Sequence, residues 1–250
     1  MGNFDLSTLD KSMASKIETL FSGGAPKEGD FLADESIDSV SIEYSSIYQP
    51  TTTSVEPTGL FEGMQLGDIY NSRRGIIGDT IEVIPIAMWN SRSYFDRESQ
   101  EQKCRSPNGI TPIDPKFATK CANCRFSKYS KGKPSLCARS LNVLVIPKDF
   151  SMRPFVLQFS KTAYKTGLDL ARQTRSGKNI YSNIFKIKSE RAPKAAYYRL
   201  AIKSVEPTPE KLQKPMKVIV GHYIEVISST INRHEVDETS GEIGAPDNIE

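Results

Sequence analysis

TIEVIPIAMW, residues 80–89, places Ile81, Val83, Ile84, Ile86, Ala87, Met88 and Trp89 within ten positions and shows no helical spacing. Residues of this kind fit a pleated, half-buried surface, so the stretch predicts a strand. The pattern carries on through residues 91–96, where Tyr94 alternates with polar neighbours and Asn90 is a candidate bulge. Moving outward, strand signals return at LNVLVI (141–146), PFVLQF (154–159), YSNIFKIK (181–188) and YYRLAIKS (197–204). Between the second and third of these, KTAYKTGLDLAR (161–172) has apolar residues at helical spacing, with Ser160 placed to cap it.

Five strands with one helix among them suit a small closed barrel better than an α/β sheet, in which strands and helices alternate. The expected fold class is α+β, mainly β, with an OB-like barrel core over residues 59–206. Before it, Leu6, Leu9, Met13, Ile17, Leu20 and Phe21 recur at helical spacing, capped by Asp5 or Ser7 and ended by Gly23 and Gly24. From there to residue 58 the chain is rich in Ser, Thr, Pro and acids, with only weak alternation over 40–48, so residues 1–58 read as a helical N-terminal arm and an acidic flexible linker. After the core, residues 207–234 read as a helix with Thr208 as cap and Pro209 at its first position, kinked or delayed by Pro215. EVDETSGEIGAPDNIE (235–250) is an acidic tail without a base.

The four cysteines of the chain, Cys104, Cys121, Cys124 and Cys137, follow the spacing C-x16-C-x2-C-x12-C. A C-x2-C pair brings two thiolates to one tetrahedral ion and two further sulfurs close the shell, which makes a structural Zn2+ site over a loop at 104–137. Two disulfides, free thiols, or a special role for Cys121 and Cys124 alone remain open at this point. His222 and His234 stand far from the cysteines in sequence and are not expected as ligands.

The net charge of +3 averages over blocks. Residues 1–56 carry ten acids against Lys11, Lys16 and Lys27. Residues 103–203 carry 22 Lys and Arg against Asp114, Asp149, Asp169 and Glu190. An acidic, basic, acidic arrangement points to a polyanion at the middle block, and aromatics interleaved with its cations point to stacking on unpaired bases. The candidate contacts are Arg92, Tyr94, Lys103, Arg105, Arg125, Phe126, Lys128, Tyr129 and Lys131 in and beside the cysteine segment. Lys161, Lys165 and Arg172 on the helix join them, with Arg175, Lys178, Tyr181, Lys186 and Lys188 beyond it. Phe155, Phe159 and Phe185 read as core instead.

The order GDIYN (67–71), IEVIPIAMWNSRSYF (81–95), the cysteine loop, LQFSKTAYKTGLDL (157–170) and YYRLAI (197–202) resembles the zinc-containing, OB-type single-stranded DNA-binding proteins of bacteriophages. That resemblance implies binding to single-stranded DNA with little sequence preference during phage replication, recombination or repair, in the cytoplasm of an infected bacterial host. It also implies partners among replication, recombination or transcription proteins, recruited by the acidic tail; homo-oligomers and cooperative assembly on DNA stay open. The alternative is a zinc-containing transcription accessory factor that binds DNA and recruits an RNA polymerase. Duplex readers place a recognition helix in the major groove, and the one core helix here is short. No enzyme is expected: the basic block has no paired carboxylates for a metal nuclease, no Ser-His-Asp set is visible, and SGK at 176–178 lacks the glycine loop of a phosphate-binding motif. No apolar run approaches the roughly 20 residues that cross a bilayer, so a soluble protein is expected.

Overall fold

Long apolar runs build a mainly β structure because they can be buried on both faces of one mixed sheet. The computed structural model describes Lys11, Ala14, Ser15, Tyr44–Ile47, Gln49 and residues 59–71, 75–96, 99, 101–129, 135–192 and 197–236. In chain order the strands are β1 Tyr44–Ile47, β2 Ile69–Asn71, β3 Gly75–Gly78, β4 Thr80–Asp96, β5 Glu101–Ser106, β6 Cys137–Pro147, β7 Phe155–Ser160, β8 Asn183–Arg191 and β9 Tyr198–Pro207. Helix α1 spans Tyr164–Ser176 and α2 spans Glu210–Val236. Two compact units result: residues 1–90 with 139–223, and residues 91–138 with 224–250.

In the larger unit the strand order is β3-β2-β1-β7-β6-β4-β8-β9. The β1–β7 pair is parallel, whereas β1–β2, β2–β3, β4–β8, β6–β7 and β8–β9 are antiparallel. Ile81 and Val83 of β4 and Leu141, Val143 and Val145 of β6 point into one core with Phe155, Leu157, Phe159, Phe185 and Ile187. The alternate residues Ile84, Ile86, Leu144 and Ile146 are buried as well. Two buried faces explain why β4 and β6 read as unbroken apolar runs. The three phenylalanines expected in the core are all fully buried there, each stabilising by roughly 1.5–3 kcal/mol.

Helix α1 contributes Gly167, Leu170 and Thr174 to the interior, one stripe at helical spacing. It follows a 3-10 turn at Lys161–Ala163, and Ser160 makes no side-chain cap bond. Thr208 likewise does not cap α2, since its buried Oγ1 has no hydrogen-bond partner in the structure. Pro215 lies inside α2 and is buried, so the helix neither starts late nor ends there.

Three features depart from the sequence expectation. The sheet has nine strands rather than about five, because β1, β2, β3 and β5 are short and carry little apolar alternation. Strand β1 falls within the stretch expected as linker, and long-range pairing holds it: Tyr44 aligns with Val156, and Ser45 Oγ donates to Val156 O at 2.9 Å. An unexpected irregularity interrupts the β4–β5 ladder between Tyr94 and Phe95, where Lys103 of β5 is the extra residue. The N-terminal arm lies outside the described residues except for Lys11, Ala14 and Ser15, which are helical, and the acidic tail lies outside them beyond Val236.

The segment after β1 reaches the terminal strand β9 at Tyr198. Gln49, just past β1, donates from Nε2 to Tyr198 O and accepts from Tyr198 N–H at Oε1, both at 2.8 Å. A side-chain amide thus serves the β9 backbone as a neighbouring strand would. Gly67 has a φ of +99°, and a Cβ there would stand 2.6 Å from the Tyr198 ring. Only glycine meets both demands. Ile69 of β2 and Leu200 of β9 share the same core. Among the described residues no helix is long and apolar enough to cross a membrane.

Candidate metal centre and nucleic-acid interface

The smaller unit is organised by the ribbon of β4 and β5. Its register pairs Arg92 with Ser106, Ser93 with Arg105 and Tyr94 with Cys104; after the shift Phe95 pairs with Gln102 and Asp96 with Glu101. Residues directly opposite in an antiparallel pair share a face, so Arg92, Tyr94, Cys104 and Ser106 occupy one side of the ribbon. Past β5, Asn108 Oδ1 accepts from the backbone of Ile110 and Thr111 at 2.8 and 2.9 Å and from Ser106 Oγ at 3.0 Å. This turn was not anticipated from the sequence, although the Asn-Gly dipeptide at 108–109 is a turn signal. Ile113 N–H then bonds to Arg105 O at 2.8 Å and Cys121 N–H to Ile110 O at 2.7 Å, which folds the loop back along the ribbon.

Two 3-10 turns, Cys121–Asn123 and Arg125–Ser127, present the C-x2-C pair. Cys124 N–H reaches Cys121 O at 3.3 Å, and Cys124 O accepts from both Ser127 N–H and Ser127 Oγ at 3.1 and 2.8 Å. Cys137 opens β6. Cys121, Cys124 and Cys137 are buried, Cys104 is half-buried, and all four are free thiols. Burial pushes the Cys104 thiol up, with the nearby Cys121 and Cys124 adding to it against a backbone hydrogen bond from Asp114. Burial also raises Cys137, opposed by Arg92 and reinforced by the other three cysteines.

The four sulfurs therefore share one electrostatic neighbourhood. Among the described residues, no group of three or more His, Cys, Asp or Glu is drawn together closely enough to hold a metal ion. The donor set still fits a soft ion. Within residues 91–138, the buried described residues are Ser106, Pro112, Cys121, Cys124 and Cys137. A segment whose few buried residues are mostly thiols lacks an apolar core of its own, and small folds of that kind rely on metals or disulfides. Cys104, Cys121, Cys124 and Cys137 are the residues that would hold Zn2+; His222 and His234 both lie on α2.

Tyr94 and Phe126 stack on each other, with centroids 4.5 Å apart and planes at 17°. Phe117 meets both edge-on at 6.1 and 5.8 Å. Arg125 sits over the Phe126 ring at 4.6 Å, and Lys116 over Phe117 at 5.3 Å. These rings serve one another, and the interlocking pairs contribute about 0.5–1.5 kcal/mol each beyond burial. Tyr94 and Phe126 thus form part of the scaffold on which the loop rests.

Of the other expected contacts, Arg105, Arg125 and Lys128 are exposed, and Tyr129 is 71 % exposed. Lys103 is ion-paired with Glu101. Lys131 lies outside the described residues. In the larger unit, Lys161, Lys165, Arg175, Lys178 and Lys186 are exposed. Arg172 is held by Asp169 at 2.7 Å and Lys188 by Asp79 at 3.2 Å. Tyr181 is 7 % exposed, so it fills the interior and offers no face to a base, contrary to expectation. Its polar neighbours suggested exposure, but burial is set by where β8 begins against the core. The structure thus groups Arg92, Tyr94, Lys103, Arg105, Arg125, Phe126, Lys128 and Tyr129 in the smaller unit and the remaining described candidates in the larger one.

No family model, curated protein or solved structure matches the chain.

Proposed function

We propose that the protein binds single-stranded DNA with little sequence preference and that Zn2+ held by Cys104, Cys121, Cys124 and Cys137 shapes part of the binding surface. The observation that carries this is the charge of the cysteine segment. Residues 103–138 hold eight Lys and Arg and a single acid, Asp114. That acid is engaged by Lys116. In the larger unit Lys148, Arg172, Lys188 and Lys203 are each paired with acids, while Lys161, Lys165, Arg175, Lys178 and Lys186 are exposed. A solvated surface normally mixes both signs, whereas a track for a phosphate backbone requires a surplus of one.

The contacts between Gln49, just past β1, and Tyr198 of the terminal strand β9 support an OB-like closure of the larger unit's sheet across β1, β7, β6, β4, β8 and β9, an architecture suited to single strands. Zinc supplies structure here and no chemistry. The protein is a binding module rather than an enzyme. A shallow groove of about 490 Å3 along α1 and β9 contains one carboxylate, Asp169, and that is taken by Arg172. The acidic tail would compete with DNA for the cations of the same chain. In the cell, the protein would coat replication, recombination or repair intermediates in the cytoplasm of an infected bacterium.

The test is fluorescence anisotropy of the full chain with labelled oligo-dT and with a duplex of equal length across a salt series. Preference for the single strand with affinity falling steeply as salt rises is the expected result. Equal or tighter duplex binding would overturn the proposal in favour of a transcription accessory factor, and binding to neither would overturn any role on DNA.

A further inference from the structure

Building on the proposed single-strand binding, we infer that Phe95 is the base-stacking residue of the smaller unit, on a face of the β4–β5 ribbon that also carries Arg105. Neighbouring residues on a strand point to opposite sides. Tyr94 pairs with Cys104 on the thiol side, so Ser93 with its partner Arg105 and Phe95 with its partner Gln102 take the other. Phe95 is 48 % exposed on that side, whereas Tyr94, Phe117 and Phe126 are occupied with one another. The register shift sets Gln102 opposite Phe95 and leaves Lys103 as the extra residue of β5. Such a bulge re-aims a side chain and sharpens the local twist. The ring is therefore displayed on a hydrogen-bonded frame, with an exposed guanidinium two residues back along the same face.

At the ribbon's tip Asp96 pairs with Glu101 and, by the same alternation, both take the Tyr94 side, where Glu101 holds Lys103 in an ion pair. The Phe95 side keeps the exposed Arg105 as its cation, so a strand laid across it sets a base on Phe95 and its flanking phosphate at Arg105. Such a surface takes any unpaired base, because every base offers a π-face.

The experiment is anisotropy of the full chain with labelled oligo-dT at several salt concentrations. Phe95→Ala is expected to weaken binding about 5- to 150-fold with an unchanged salt slope, and Phe95→Tyr to restore it. Arg105→Ala is expected to weaken binding and flatten the slope of log affinity against log salt by about 0.7. Circular dichroism and thermal unfolding should match wild type for Phe95→Ala, since the ring faces solvent. If wild type binds oligo-dT and Phe95→Ala binds as tightly, the inference fails while the proposed function stands. If wild type does not bind, the proposed function fails and takes this inference with it.

Discussion

Gln49 offers a direct test of whether the segment after β1 is tied to the terminal strand β9. Its carboxamide makes two hydrogen bonds of 2.8 Å to the backbone N–H and C=O of Tyr198, 149 residues away. Each such bond contributes about 0.5–1.5 kcal/mol net, so Gln49→Ala should cost roughly 1–3 kcal/mol. Gln49→Glu separates the two bonds. Its carboxylate can still accept from Tyr198 N–H, but it sets a second acceptor against Tyr198 O, a repulsive contact where a bond was. That variant should be no more stable than Gln49→Ala at neutral pH, and should recover in part at low pH when a protonated carboxyl can donate. Trp89 is the only tryptophan and lies half-buried on β4, so its fluorescence reports unfolding of the larger unit. With a urea dependence of about 2 kcal/mol per molar, Gln49→Ala should move the midpoint down by roughly 0.5–1.5 M. A midpoint within about 0.2 M of wild type, with the same slope, would refute the tie.

Gly167→Ala sets helix propensity against packing. Alanine gains about 1 kcal/mol in a helix, but the added methyl would stand 2.7 Å from Phe159 Cβ and 3.2 Å from Leu141 Cδ2, both in the core; overpacking costs about 1–3 kcal/mol, so urea unfolding should show a net loss, and a variant as stable as wild type would contradict the packing. Asp79 is held below its ordinary 3.8 by the Thr80 hydroxyl at 2.9 Å and then by Lys188. A depressed carboxylate stabilises above its unfolded pKa and loses that contribution as pH falls through its folded one. Because Asp79 is largely exposed, the contribution is below about 1 kcal/mol, and Asp79→Asn should lose less stability than wild type between about pH 5 and about pH 2; an identical loss would contradict it. Cys124→Ser should abolish stoichiometric zinc in the purified protein by elemental analysis, and retained zinc would remove Cys124 from the ligand set.

The elements legible in the sequence are those whose burial is written locally. Residues 80–89 and 141–146 announce β4 and β6 because both faces are apolar. Residues 161–172 announce α1 because Leu170 recurs three positions after Gly167 on a buried stripe. Strands β1 and β3, YSSI and GIIG, carry no such signal, and β1 exists because Val156 and Leu157 lie beside it after a long detour of chain. The site divides in the same way. Cysteine spacing is local and visible. Which of the adjacent rings Tyr94 and Phe95 turns inward is not, since that depends on the alignment of Tyr94 with Cys104 across the ribbon. The Arg172–Asp169 pair is three residues apart on one helix and could be read directly, whereas Asp79 reaches Lys188 only because β4 and β8 pair Thr80 with Lys188.

The cysteines and the cations of the smaller unit are two aspects of one physical requirement. A segment that must present a surplus of positive charge cannot also spend many positions on apolar residues, and chains of that composition do not bury enough surface to offset their conformational entropy. Residues 103–138 meet both conditions with four thiols and two rings, Phe117 and Phe126, interlocked with Tyr94 of β4, in place of a conventional core, leaving Arg105, Lys120, Arg125 and Lys128 to solvent. Metal–thiolate bonds provide folding energy that scales with ligand number rather than with buried area, so they allow a small unit to stay ordered while its surface remains cationic. Under the proposed function, the cysteines as zinc ligands and the cations as DNA contacts would depend on each other. Replacing the thiols with apolar side chains would require a larger core and would consume the surface that phosphate needs. Neutralising the cations would leave a metal-stapled loop with nothing to bind.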